Sequence, residues 1–359
     1  MLGLKGIPAL HGGIERHVEE LARRLGPLGC DVTVYCRRHY TPADAAVPGV
    51  TLRRLPSVNT KHFDAWTHTL LATLDALPRG FDVYHYHALG PATFALLPRL
   101  LGRRVVVTVH GLDWQRAKWG RLAAAYLKLG EWAAGRLATR TVVVSRELER
   151  RFVRRWGRRV TYIPNAVASA PPPSAEELTP FGLTPGRYLL TVGRLVPEKG
   201  VHHLVAAYRG ITTDLPLVVV GDDPDGRYIA SLKEAADARV RFLGYIYGPP
   251  LAAFFRYCYL YIHPSTLEGL SIALLEAMSQ GAPILASDIG PNVEALGDAG
   301  FYFRRGDAVD LRAILTRLLA APGDLPAHGE AARRRAAALY SWDEVARRTA
   351  AAYEAALAR

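Results

Sequence analysis

Short, almost wholly apolar runs of four to six residues recur along the chain. They alternate with stretches whose apolar residues return every three or four positions. The runs at 31–36, 50–55, 82–87, 105–109, 141–144 and 160–163 predict strands in the first half. Those at 188–192, 217–220, 240–243, 260–263, 284–287 and 301–303 predict strands in the second. Between them lie amphipathic helices; Ile14, Val18, Leu21 and Leu25 form one apolar stripe. Strands apolar on both faces suit parallel sheets covered on both sides. Strand–helix alternation of this kind, occurring twice, predicts two doubly wound α/β domains. A Pro-rich seam near 168–185 has linker composition, and 342–357 forms a last amphipathic helix. The domains are therefore expected at 1–168 and 169–340, with a C-terminal helix in 341–359. The first strand, residues 1–4, is short for a central strand, as though the start codon lay upstream.

The 359-residue length fits two domains. No run of 18 apolar residues and no leader pattern is present, so neither a membrane span nor export is expected. Cys30, Cys36 and Cys258 are odd in number and lack metal-ligand spacing, which fits a reducing cytoplasm. The net charge of +12 points towards phosphorylated or anionic partners. Only six of the 45 basic residues are lysine, so an Arg-rich genome explains the excess equally well.

Ligands of open α/β sheets bind outside the carboxyl ends of the strands. Gly12 and Gly13 lie in such a loop, at the start of a helix where a phosphate could sit. A glycine-rich turn without a ligand is the plainer alternative. The loop is not a dinucleotide fingerprint, and Cys36-Arg37-Arg38 stand where its ribose-binding acid belongs. His110 ends the 105–109 run. His85 and His87 share a strand face without a third ligand at metal spacing, so they read as cleft lining or core. Arg194 and Lys199 occupy one strand–helix loop, where a guanidinium fork and an ammonium suit a diphosphate, or simply a solvated surface. Glu268 and Glu276 stand eight positions apart across a loop and a helix start, placed to accept hydrogen bonds from sugar or ribose hydroxyls. An acidic first helical turn is the plainer reading.

The segment from Glu268 to Glu276 resembles the E-x7-E motif of retaining glycosyltransferases of family 4, which have the GT-B fold. GGIERHVEELARRL from Gly12, TVHG from Thr108, IPNAV from Ile163, VGRLVPEKG from Val192, PSTLEGLSIALLEAMSQGAPILAS from Pro264 and YSWDEVARR from Tyr340 match in order, over essentially the whole chain. The opening is most similar to bacterial polysaccharide and rhamnosyl-type transferases. The resemblance implies two Rossmann-like domains facing each other across a cleft, the acceptor on the first, the donor on the second, and the last helix crossing back to the first. It implies that Gly12 and Gly13 approach the donor diphosphate, and that His110 contacts the donor sugar. Arg194 and Lys199 would hold the diphosphate. Glu268 would position the sugar with the backbone of Gly269, Leu270 and Ser271. Glu276 would hold the ribose, and the base would lie near Tyr245 and Ile246. The family's G-x-G-P turn is replaced by Gly221-Asp222-Asp223-Pro224.

The implied activity is cofactor-free hexosyl transfer from a nucleotide-sugar to a glycan or lipid-linked acceptor in polysaccharide synthesis; because no convincing Asp-x-Asp stands at a strand end while Arg194 and Lys199 can meet the charge, no metal is expected to be needed. No nucleic-acid partner is expected. Alternatives are a nucleotide-sugar epimerase of the same fold and a non-catalytic sugar-nucleotide binder; a nicotinamide dehydrogenase fits least. Trp114, Trp119 and Trp132, read as lying on one helix, stand among Arg116, Lys118, Arg121 and Lys128, with an arginine run from Arg146 to Arg159 behind them. These residues suit an anionic membrane at the inner face of the cell. A solvated basic surface is the plainer reading.

Overall fold

A computed structural model of the protein describes all residues except 11, 61–62, 158–159, 169–170, 224–225 and 359. The chain forms two compact units, residues 1–166 with 342–359, and residues 167–341. Both are α/β units with parallel sheets, as the alternation predicts.

The first unit holds β1 (Val32–Arg37), β2 (Val50–Leu55), β3 (Val83–His87), β4 (Arg104–Val109), β5 (Arg140–Val143) and β6 (Val160–Tyr162). Strands β1 and β2 pair in parallel, and β3 to β6 form a parallel ladder in chain order. Residues 1–5 lie between the two sets. On one side Tyr35 N–H donates to Met1 O at 3.0 Å and Arg37 N–H to Lys5 O at 2.7 Å. On the other, Leu2 N–H donates to His85 O at 2.8 Å and His87 N–H to Leu2 O at 2.9 Å. The segment is central, as expected, but only Leu2 forms a regular bridge, with Tyr86. Gly3 explains this: its φ of 94° breaks the extended conformation. The closing helix Trp342–Leu357 packs on this unit, where Tyr353 Oη meets His85 Nδ1 at 2.7 Å.

The second unit holds β7 (Leu189–Val192), β8 (Leu217–Val220), β9 (Val240–Phe242), β10 (Leu260–His263), β11 (Ile284–Ser287) and β12 (Phe301–Phe303). They form one parallel sheet in the order β12-β11-β10-β7-β8-β9. The order reverses between β7 and β10, and that reversal opens a crevice at their carboxyl ends. Leu189, Leu217, Val219, Leu260 and Ile262 pack with Leu204, Val205, Leu311 and Leu315 in its core. The Pro-rich stretch is not a free linker. A 3-10 helix, Ala175–Phe181, buries Leu178, sets Phe181 4.9 Å from Phe254, and belongs to this unit. Leu178 and Phe181 anchor it, which periodicity over so short a turn does not reveal.

Candidate functional site

Strand β7 ends at Val192, and the next loop carries Arg194 and Lys199, both partly buried. Strand β10 ends at His263, and its loop carries Glu268. The two strands flank the reversal, so both loops open onto the same crevice. Gly200 lets them close together. Its φ is 68°, and a β-carbon there would stand 2.1 Å from Pro264 O, so no other residue fits. Thr266 N–H donates to Glu198 O at 2.8 Å across the same seam.

Here Lys199 Nζ donates to Glu268 Oε1 in a close ion pair, the two side chains only 20% and 10% exposed. Burial pushes the Glu268 pKa up, but Lys199 and the nearby His263 overcome this and hold it well below the ordinary 4.5. His263 Nε2 stands 3.5 Å from Glu268 Oε1, and its Nδ1 meets Tyr261 Oη at 2.9 Å. Burial lowers the His263 pKa against the pull of Glu268. Burial, then the Glu268 and Glu276 carboxylates, raises Tyr261 well above its usual value. No motif along the chain marks Tyr261 or His263. Their signal was the two-residue period of β10, which puts both on one face beside the motif.

Gly269, Leu270 and Ser271 are buried, and Ser271 caps the helix Ile272–Ser279 by accepting Leu274 N–H. Glu276 lies in the second turn, partly buried. Strand β8 ends against Gly193; a β-carbon on Gly221 would stand 1.8 Å from Gly193 O. Gly221 N–H also donates to Gly244 O at 2.8 Å, which brings Tyr245 and Ile246 to this edge. Tyr245, 38% exposed, stacks on Tyr247 at 5.8 Å, and its hydroxyl donates to Asp222 O at 3.3 Å. Asp223 accepts Tyr228 N–H at 2.7 Å and so starts the helix Arg227–Ala235. Pro224 of the replaced turn lies outside the described residues.

The first unit has its own constellation. Gly12, with φ 103°, opens the helix Gly13–Leu25. Glu15 in its first turn accepts Lys5 N–H at 3.0 Å, and Glu19 accepts Ala9 N–H at 2.7 Å. A β-carbon on Gly12 would stand 2.1 Å from Glu15 Oε2. A carboxylate therefore already meets the positive helix end, which weakens the field argument for a phosphate at Gly12 and Gly13. Both glycines are exposed.

His110, after β4, joins three other histidines. Its Nε2 lies 3.2 Å from His87 Nδ1, and its ring lies 4.8 Å from that of His17. His85 bonds Thr108 and Tyr353, each at 2.7 Å. His17 Nδ1 bonds Asn165 Oδ1 at 3.0 Å. Burial lowers the pKa of His17 to about 4 and holds His85, His87 and His110 well below 6.5, so all four are neutral at pH 7. His85 is no part of a ligand set; the fold instead gathers His110, and His17 from a helix 70 positions earlier, around His87.

Arg151 Nε and Trp114 Nε1 both donate to the buried Glu131, at 2.7 and 2.8 Å. Only Trp132 of the three tryptophans lies on the helix Arg121–Arg136; Trp114 sits in a preceding 3-10 turn and Trp119 in the loop after it. Arg158 and Arg159 lie outside the described residues.

The profile of the family Glycosyltransferase Family 4 matches residues 11–170, and that of Glycosyl transferases group 1 matches residues 181–335. The chain is 29% identical to the alpha-maltose-1-phosphate synthase of Mycolicibacterium smegmatis, over 96% of each chain. In fold it is similar to the sucrose-phosphate synthase of Thermosynechococcus elongatus, with TM-score 0.82, 23% identity, and 96% and 93% of the two chains covered. It is also similar to Anabaena HepE in complex with UDP-glucose, with TM-score 0.78, 19% identity, and 95% of each chain covered.

Proposed function

Because the chain belongs to the glycosyltransferases of family 4 type, with the GT-B fold, we propose that it is a retaining hexosyltransferase. It moves a sugar from a nucleotide-sugar to a hydroxyl of a glycan or lipid-linked acceptor in cell-surface polysaccharide synthesis. The observation that carries this reading is the Lys199–Glu268 pair at the β7–β10 reversal, with Arg194 on the same loop.

In this reading Arg194 and Lys199 hold the donor diphosphate. Glu268, with the backbone of Gly269, Leu270 and Ser271, positions the sugar. Glu276 holds the ribose, and the base lies near Tyr245 and Ile246. Gly12 and Gly13 give the donor close backbone approach, and neutral His110 offers a hydrogen bond to the sugar. The acceptor oxygen bonds to the anomeric carbon on the face that the phosphate leaves. The bond from that carbon to the phosphate oxygen breaks, and the leaving oxygen takes the acceptor's proton. Arg194 and Lys199 meet the developing negative charge, so no metal is needed. HepE has been crystallised with UDP-glucose, which makes UDP-sugars the first donors to test.

We place the reaction at the inner face of the membrane. No described helix is long and apolar enough to cross one. Leu122, Leu129 and Trp132 are 89%, 53% and 44% exposed on one helix, among basic residues, as peripheral contact requires.

The test is a thermal-shift screen of UDP-, GDP-, TDP- and ADP-sugars, with the anomeric configuration of the product then read by NMR. A donor at 100 times its Kd should stabilise by about 2.7 kcal/mol. An epimerised sugar formed without acceptor would favour the epimerase, and an inverted product would remove the retaining mechanism.

A further inference from the structure

We propose that His17, His87 and His110 form a binding site for a divalent transition-metal ion, and that the bound ion inhibits the enzyme by engaging His110. The inhibition rests on the role given to His110 above; the site does not.

One ring nitrogen of each histidine lies within 4.8 Å of the other two. The three come from separate elements, the helix Gly13–Leu25 and the ends of β3 and β4. Three imidazoles and an open fourth position are a zinc-binding set. Nitrogens bound to one tetrahedral zinc at about 2.0–2.1 Å stand about 3.3 Å apart. His87 Nδ1 and His110 Nε2 already stand 3.2 Å apart, so that edge has its final length and only His17 must close in. His17 is oriented from behind. Asn165 Oδ1 accepts at 3.0 Å from Nδ1, which leaves Nε2 bare, the arrangement in which a ligating histidine gives its other N–H to an outer acceptor. His17 and His87 are buried while His110 is partly exposed, so an ion would reach the cluster from the His110 side. Three imidazoles without a carboxylate favour zinc, cobalt, nickel and copper over magnesium or manganese. An ion on His110 Nε2 fixes that ring and adds positive charge beside any sugar hydroxyl the ring would contact.

The experiment is a Co2+ titration of the full chain after EDTA stripping, with turnover measured in parallel. One equivalent should give the strong visible absorption of four-coordinate cobalt, displaced by Zn2+. His17→Gln and His87→Gln should each weaken binding by more than about 100-fold, and Asn165→Ala by about 10–100-fold. His202→Gln, in the other unit, should leave binding unchanged. Zn2+ should inhibit turnover, EDTA should relieve it, and Mg2+ should do neither. Absence of the cobalt signal in the wild-type chain overturns the site, whatever the variants do, as does a signal undiminished in both His17→Gln and His87→Gln. Tight cobalt binding without inhibition keeps the site and overturns the sugar contact of His110. Cobalt binding by a chain that transfers no sugar keeps the site and defeats the transferase reading alone.

Discussion

Replacing Lys199 with alanine should do two separable things. Glu268, 10% exposed, loses the cation that keeps it ionised. Breaking a buried pair by removing one partner costs about 3–5 kcal/mol, and the lower end applies here because Lys199 is 20% exposed. For a unit of this size, about 3 kcal/mol lowers Tm by about 6–12 °C, read by calorimetry at pH 7. The double variant Lys199→Ala/Glu268→Gln buries no charge at this pair and should recover most of that loss. Turnover should not follow. In the proposed reaction Lys199 meets the leaving diphosphate, so turnover should fall by roughly 10²–10³ in Lys199→Ala and stay low in the double variant. The pH dependence checks the cause. A carboxyl whose folded pKa lies below 4.5 adds stability in full above that value and loses it as pH falls. The Tm gap between wild type and Lys199→Ala should therefore narrow below about pH 4. An unchanged Tm in Lys199→Ala would refute the buried pair. Unchanged turnover in Lys199→Ala, beside the lowered Tm, would show that Lys199 serves only Glu268.

His17, His68, His85, His87 and His110 of the first unit bind fewer protons than in the unfolded chain, so that unit should lose stability as pH falls from 6.5 towards 4. The loss is about 1.4 kcal/mol per pH unit for each histidine. All six tryptophans lie in this unit, so their fluorescence at pH 7 and pH 5.5 reads it directly; equal Tm values would refute it. Glu276→Gln should weaken donor binding roughly 10- to 150-fold, from the loss of a charge-assisted hydrogen bond of about 1.5–3 kcal/mol, measured by calorimetric titration. Glu268→Gln should instead lower turnover more than donor affinity. Turnover should survive excess EDTA, and Arg194→Ala should lower it by roughly 10²–10³; recovery only on adding magnesium or manganese would show that a metal meets the charge. Sedimentation with anionic vesicles should occur at low salt and fade at high salt, at about 1 kcal/mol per basic residue near the surface. No binding at low salt would leave the tryptophan–arginine face a solvated surface.

What could be read along the chain was local. Apolar runs such as 217–220 and 260–263 coincide with β8 and β10 because a strand buried on both faces leaves no other composition possible. The Glu268–Glu276 spacing was legible because one loop and one helix carry it. The central segment at residues 1–5 was harder, since Gly3 breaks its regularity while the hydrogen bonds to β1 and β3 remain. The histidine cluster was invisible for a different reason. His17 belongs to a helix stripe and His87 to a strand face, and only the closure of the sheet brings their rings to 5.7 Å.

The same distinction changes how the donor site must be read. Along the chain, Lys199 suits a phosphate and Glu268 a sugar or ribose hydroxyl, as groups with no bearing on each other. In the fold, Gly200 presses their loops together and each becomes the other's counter-charge. Lys199 then divides its charge between Glu268 and any bound phosphate. Arg194, with no ion pair among the described residues, offers its whole fork. Arg194 should therefore carry more of the ground-state affinity for diphosphate. Lys199 should contribute more as the bond breaks, when charge on the phosphate grows enough to draw the ammonium from Glu268. Arg194→Ala should thus raise the donor Kd more than Lys199→Ala does, while Lys199→Ala lowers turnover at saturating donor more. Equilibrium titration beside single-turnover kinetics separates the two, and the reverse ordering would show that the Lys199–Glu268 pair stays closed throughout the reaction.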